Sequence, residues 1–590
     1  AAYIEQQLQP ETILDSEVEQ RLASFQTLNM SSMQLLAAYP PPQLLRGIER
    51  RLSAGMGMDP EAEGTMFPEL ARRRERQEQR RRAGGDDATM REEDDSKMSP
   101  ADRRAAQLER MGPGERMQAA MSSPQRIVIE LSQAKLLRAI YSERQLQEVM
   151  TDFWFNHFNV FIGKGADRWL VTGYERDAIR PHALGNFREL LGATAAHPAM
   201  LFYLDNWLSA DPKADTDERE LRRRYFAYMQ QQGIQPGALM LDVLRRRGMD
   251  TTEAEQVVAR QLQQLEREER RGGVRGRLGG NQRRPNQQQQ RRRGLNENYA
   301  RELLELHTLG VEGGYTQQDV IEVARCFTGW TMLPLQFGQQ FLYVDELHDN
   351  GTKTVLGQRI PNGGQRDGER VLDLLARHPS TARFISAKLA RRFVSDEPPA
   401  SLVEKMSRTF SESGGDIRAV LRTMLASEEF WSREAVAAKV KTPFEFIASA
   451  ARASGAEVSE FPPGLVLALR ELGQPLYAAQ PPTGYKDTAD AWVSTGGLLA
   501  RMKVALGLAS NRLPGVETEL APAWLRAASS EELVGTLSDE IVGRPLSEQT
   551  RAALAEELAQ AQEELAAGGR MAEARLTLGW VLASPEFQRR

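Results

Sequence analysis

Residues 296–310 read Asn-Glu-Asn-Tyr-Ala-Arg-Glu-Leu-Leu-Glu-Leu-His-Thr-Leu-Gly, and this stretch decides the fold class. Asn296 suits the cap of a first helical turn, Leu303, Leu304 and Leu306 recur at helical spacing, and Gly310 suits a left-handed closing residue. The stretch predicts a helix with both ends marked. Glu297, Arg301 and Glu305 fall four apart on one stripe, Glu302 stands three from Glu305, and His307 sits on the last turn. After the Gly313-Gly314 turn, Thr316 with Asp319 makes a variant capping box that starts a second helical run ending at Trp330. The expected unit is a helical hairpin that carries carboxylates and an imidazole.

Outward from this hairpin, helical periodicity dominates. The segment RIVIELSQAKLLRAIYSERQLQEVMTDFWFNHFNVF (126–161) has apolar residues at helical spacing and then an aromatic cluster. Within that cluster Asp152, Asn156 and Asn159 share a polar stripe, and His157 lies on an adjoining one. Burying such groups unpaired costs on the order of 1–3 kcal/mol each, so they either satisfy one another and the neighbouring helix or line a pocket. Two His-Pro steps, at His197 and His378, suit cap or hinge positions. Lys388, Arg391 and Arg392 form a basic stripe that binds an acidic ligand or, as the safer reading, pairs with the carboxylates of the central helix. The Gln480-Pro-Pro-Thr-Gly484-Tyr485 stretch is a rigid turn that presents aromatic side chains. Only FLYVDELHDNG and KTVLGQRIP (341–361) suggest strands, as a short hairpin or two around Asp349-Asn350-Gly351.

The fold class is therefore mainly α: a large multi-helix core with a β-hairpin region near 340–360 and two low-complexity inserts. Residues 1–52 read as a helical edge of the core and 53–123 as a charged, largely solvated insert. Core helices follow over 124–208. The next segment, 209–294, opens with one or two surface helices supported by charge pairs and ends in a Gly/Gln/Arg tract without an apolar face. The central helical region spans 295–430, and 431–590 is a C-terminal helical region whose last 60 or so residues form a closing bundle.

Composition narrows the function. The chain has 590 residues, 76 basic and 81 acidic, for a net charge of −5, so nucleic-acid binding ranks last and rests only on the arginine-rich tract. The single cysteine, Cys326, excludes an internal disulfide framework and a cysteine zinc site, and is read as a small core residue. No stretch approaches the roughly 18 uninterrupted apolar residues of a membrane helix, so the chain is read as soluble. Its start, Ala-Ala-Tyr-Ile, fits a removed export signal or a trimmed chain, which leaves the compartment open. No GxSxG elbow, Walker loop or strand–GxGxxG–helix unit is present.

Five segments carry a specific resemblance: FWFNHFNVFIGKG (153–165), HPAMLFYLDN (197–206), NENYARELLELHTLGVEGGYTQQDV (296–320), HPSTARFISAKLARRFV (378–394) and PPTGYKDTADAWVSTGGLLARM (481–502). They resemble the bacterial DUF1800 family, from Ile4 to the closing SPEFQRR. The resemblance brings no activity. It implies a DUF1501-type partner protein in a shared pathway or complex, outside the cytoplasm.

All six histidines fall between residues 157 and 378, and four of them lie in these segments. Their clustering suits a metal or proton-transfer site assembled across several helices. His157, His182, Glu302, His307 and His348 are the candidate ligands of a divalent ion, with zinc, iron and manganese all compatible with a mixed N/O set. Glu302, Glu305 and His307 are the candidate acid–base groups, with Asn156, Asp205, Glu297, Arg301 and Asp349 in supporting positions. The function expected from this set is a metal-assisted hydrolase or oxidoreductase. Its rival is a scaffold or surface-binding protein in which the polar cluster only fixes the fold.

Overall fold

The computed structural model describes residues 2–55, 111–214, 218–235, 237–260, 262–263, 294–334, 337–561 and 568–590. Most of the first insert and nearly all of the Gly/Gln/Arg tract lie outside the described residues. The rest is mainly α-helical, with three small two-stranded antiparallel sheets.

The local signals act as physical chemistry requires. Asn296 accepts from the Asn298 and Tyr299 backbone N–H groups, Gly310 closes the central helix at φ +83°, and Thr316 and Asp319 form a reciprocal capping box. Both His-Pro histidines are caps, since His197 and His378 accept through Nδ1 from the Ala199 and Ser380 N–H groups. One feature departs from the periodic pattern. After Glu297–Glu302 the chain widens to a π-turn over Leu303–Thr308, and the Thr308 hydroxyl donates to the Leu303 carbonyl at 2.6 Å. The wider turn rotates His307 into the core, where it is 2 % exposed, while Glu302 and Glu305 stay half-buried.

Two large apolar cores organise the molecule. The first joins the Gln145–His157 helix to the central helix and to the helices Pro379–Phe393, Ala400–Glu412 and Ile417–Leu425. The second joins Ser16–Leu22 to Pro443–Ala453, Thr495–Ala509 and Gly569–Ala583. Helix Gln125–Tyr141 serves both, with Leu131 in the first and Leu136, Leu137 and Ile140 in the second. At Gly579 a β-carbon would stand 2.8 Å from Leu506, so the absent side chain lets the helices Thr495–Ala509 and Gly569–Ala583 meet.

Two expectations are corrected here. The helix Ala238–Arg246 forms its charge pairs, but it is not a surface element, because Leu239, Val243 and Leu244 are buried with Leu35, Leu36 and Ile127 in a third core. Asp349-Asn350-Gly351 is not a hairpin tip. It links two hairpins, Trp330–Met332 with Phe341–Tyr343 and Lys353–Val355 with Gln358–Ile360, and the tight turn falls at Leu356-Gly357, both at positive φ.

Candidate functional site

The polar stripe divides its work: Asp152 pairs with Lys135 of the neighbouring Gln125–Tyr141 helix, while Asn156 and Asn159 hold the Pro-Pro-Thr-Gly-Tyr turn. Asn156 donates to the Tyr485 carbonyl at 2.8 Å and accepts from the Tyr485 N–H at 2.7 Å, a paired contact like a β-bridge made by a side chain. Asn159 donates to the carbonyls of Ala479 and Pro481, each at 2.9 Å. The turn can approach this closely because residue 484 is glycine: its φ is +69°, and a β-carbon would meet Asn156 Oδ1 at 2.5 Å.

The held turn closes a cavity of about 370 Å³ against the Gln145–His157 and Pro379–Phe393 helices. Phe153, Phe155, Tyr477 and Tyr485 give it aromatic surface. Its charged lining is unequal: Lys135, Lys388, Arg391, Arg392 and Lys486 face only Asp152 and Asp487. Lys135 pairs with Asp152 at 2.7 Å, and Arg392 contacts Asp152, Glu445 and Asp487 at 3.5, 3.0 and 3.6 Å. The basic stripe therefore does not pair with the central helix, and this corrects the safer reading. Arg391 donates through Nε to the Asp396 carbonyl, and neither it nor Lys388 has a carboxylate partner among the described residues. Burial drives the Lys388 ammonium down to about 8; the Asp487 carboxylate works against that shift and the Arg391 guanidinium adds to it.

His157 stands on the wall between this cavity and the central helix. Its Nε2 donates to the His307 carbonyl at 3.1 Å, which fixes the tautomer and leaves Nδ1 as a bare acceptor. That Nδ1 is buried and has no hydrogen-bond partner among the described residues. Burial, and then the Lys388 charge, hold His157 well below its ordinary value and His307 at about 3, so both rings are neutral.

The other expected site residues go elsewhere. His182 donates through Nδ1 to the Ala178 carbonyl at 3.0 Å. His348 belongs to a closed cluster with Lys353 and Asp367, and Asp349 pairs with Arg325 at 2.7 Å. Asp205 pairs with Lys164 at 3.0 Å, and Lys164 and Glu302 line a separate cleft. Glu305 accepts from the Tyr315 hydroxyl. Glu297 and Arg301 are bridged by Gln317, which accepts from Arg301 and donates to Glu297, each at 2.7 Å, so the stripe is not a row of ion pairs. Of the five candidate ligands only His157 and His307 come together, with ring centroids 6.3 Å apart, and among the described residues no group of three or more His, Cys, Asp or Glu is arranged to hold a metal. The residues present do not fit a divalent ion under the central helix. Cys326 is a buried core residue whose thiol is pushed up to about 12 by burial.

Fold and cavity together define a mainly α-helical protein with an aromatic, cation-rich chamber closed by a pinned turn. The chain belongs to the family described as protein of unknown function DUF1800, whose model matches residues 1–589. No curated protein and no solved structure matches it. Among the described residues no helix is long and apolar enough to cross a membrane.

Proposed function

We propose that the protein binds a small anionic organic molecule in the chamber behind the Pro-Pro-Thr-Gly-Tyr turn. The observation that carries this reading is Lys388 with Arg391, two cationic groups three residues apart on one helix, both lining the chamber and both without a carboxylate partner among the described residues. Removing a charge from water without a partner is unfavourable, and an incoming carboxylate or phosphate supplies the missing partner. The volume suits a ligand of small-molecule size, and the four aromatic rings favour an organic anion over an inorganic one. A metal-assisted hydrolysis or oxidation under the central helix has less support, because its expected ligands occupy separate neighbourhoods.

The test is calorimetric titration of the protein and of Lys388→Met with benzoate, phosphate and the neutral benzamide. Benzoate is expected to bind best, with an affinity at least about tenfold weaker in the variant, a loss of roughly 1.4 kcal/mol. Equal binding of benzoate and benzamide, or no binding of either anion, would overturn the reading and leave the polar cluster as a structural device.

A further inference from the structure

We propose that Lys388 is a nucleophilic amine that forms an imine with the carbonyl carbon of a small oxo acid held in the chamber. This rests on the anion-binding reading and names the class of substrate: a molecule with a carboxylate and an aldehyde or ketone on the adjoining carbon.

Three observations combine. Lys388 lines the chamber, is half-buried, and makes no hydrogen bond or ion pair with any described residue; its one recorded contact is 5.6 Å over the Phe384 ring. Arg391, one turn further along the same face, has its terminal nitrogens without partners among the described residues, and a guanidinium grips a carboxylate through two parallel hydrogen bonds. His157 lines the same chamber as a neutral ring, so it adds no charge that would hold the amine protonated or compete for the carboxylate.

These groups match the needs of carbinolamine chemistry. With the carboxylate on Arg391, the free amine of Lys388 attacks the carbonyl carbon, a C–N bond forms, and the C=O π pair moves to oxygen. Water in the chamber carries one ammonium proton of the adduct to that oxygen. The C–O bond then breaks as the nitrogen lone pair completes the C=N bond, and the remaining N–H proton passes to the departing hydroxyl, which leaves as water. No oxidant or reductant is consumed. The groups around the amine favour the reactive form: His157 and His307 are neutral, Arg391 repels a second positive charge, and Asp487 opposes it. With its ammonium at about 8, Lys388 holds roughly a hundredfold more free amine near pH 8 than an ordinary lysine.

Two other lysines separate this proposal from simple amine basicity. Lys441 is also lowered to about 8, by burial, but its ammonium sits 3.7 Å over the Phe587 ring, and the nearby Arg590 is committed to Glu445 at 2.9 Å. Lys486 lines the same chamber but is paired with Asp490 at 3.3 Å.

The experiment treats the whole protein with glyoxylate and cyanoborohydride near pH 8, then maps N-carboxymethyl-lysine by peptide mass spectrometry, with and without excess benzoate. The expected result is labelling of Lys388 at least about tenfold faster than Lys441 or Lys486, the equivalent of roughly 1.4 kcal/mol. Benzoate should suppress it, and Arg391→Gln should slow it. Equal labelling of the three lysines, or labelling of Lys388 that neither benzoate nor Arg391→Gln reduces, would overturn the imine. Benzoate binding without any Lys388 adduct would sink the imine and leave the anion site standing; absence of both would remove the two together.

Discussion

Two buried histidine clusters in one molecule are built to opposite rules. Around His348 every partner is present: Nδ1 donates to the Thr328 carbonyl at 2.8 Å, Nε2 accepts from Lys353 at 3.1 Å, and Lys353 meets Asp367 at 2.8 Å, with Lys353 and Asp367 both 0 % exposed. Around His157 partners are missing among the described residues: its buried Nδ1 has none, and neither has the nearby Lys388, which lines the chamber. Both clusters combine imidazole and ammonium. The difference teaches that histidine and lysine in this family's motifs do not by themselves mark a site. What marks one is unsatisfied polar capacity beside empty volume.

The contrast breaks most sharply at the two lysines. Lys353→Met removes the ammonium from a buried carboxylate that keeps Arg370 at 3.4 Å and the His348 ring at 3.1 Å, so it should cost about 3–5 kcal/mol. Lys388→Met removes a charge that burial already disfavours, so it should be neutral or stabilising. Urea unfolding followed by circular dichroism reads both. A large loss in the Lys388 variant would show that its ammonium has a partner and that the two clusters are alike.

The second effect is in acid. The unfolded chain protonates His307 near 6.5, whereas the folded chain resists until about 3, so between these values the unfolded state binds one more proton. His307 therefore contributes stability that is complete above about 6.5 and lost as pH falls through 3. The slope is at most about 1.4 kcal/mol per pH unit. In His307→Gln the stability–pH curve should be shallower by one proton across that window. Parallel curves for the two proteins would mean that the ring is hydrated and free to protonate, and that the chamber wall is wetter than the burial of His157 and His307 implies.

Much of this was legible in the residues, and what was not has a common cause. Asn296, Gly310, Thr316 with Asp319 and the two His-Pro caps act within one or two turns of themselves, and local chemistry leaves a local mark. Asn156 and Asn159 announced a need for partners, but their partners lie some 320 residues on, where spacing along the chain carries no information. The same holds for Arg392, whose carboxylates come from three separate segments, and for Lys388, whose want of a carboxylate emerges only once the helices pack. His348 shared a region of sequence with the central helix and not its chemistry. The π-turn at Leu303–Thr308 shifts the helical register by about one residue, so a wheel drawn at 100° per residue misplaces His307 relative to Glu302.

That last point supplies the smallest and most discriminating prediction. Glu302 lies on the far side of the register shift, half-buried in the cleft with Lys164 and Tyr203, and burial, then Glu305, push its carboxyl up against the opposing Arg301. A carboxyl raised in the folded state loses stability as pH climbs from 4.5 through that raised value, so at neutral pH its charge is a mild liability. Glu302→Gln should therefore stabilise slightly, by less than about 0.5 kcal/mol, and should leave benzoate binding and the labelling of Lys388 unchanged. If the central carboxylates and the chamber formed one site, the same substitution would weaken binding or slow labelling while stability hardly moved. The two readouts separate because Glu302 and Lys388 line different hollows of the structure, and only the second contains His157.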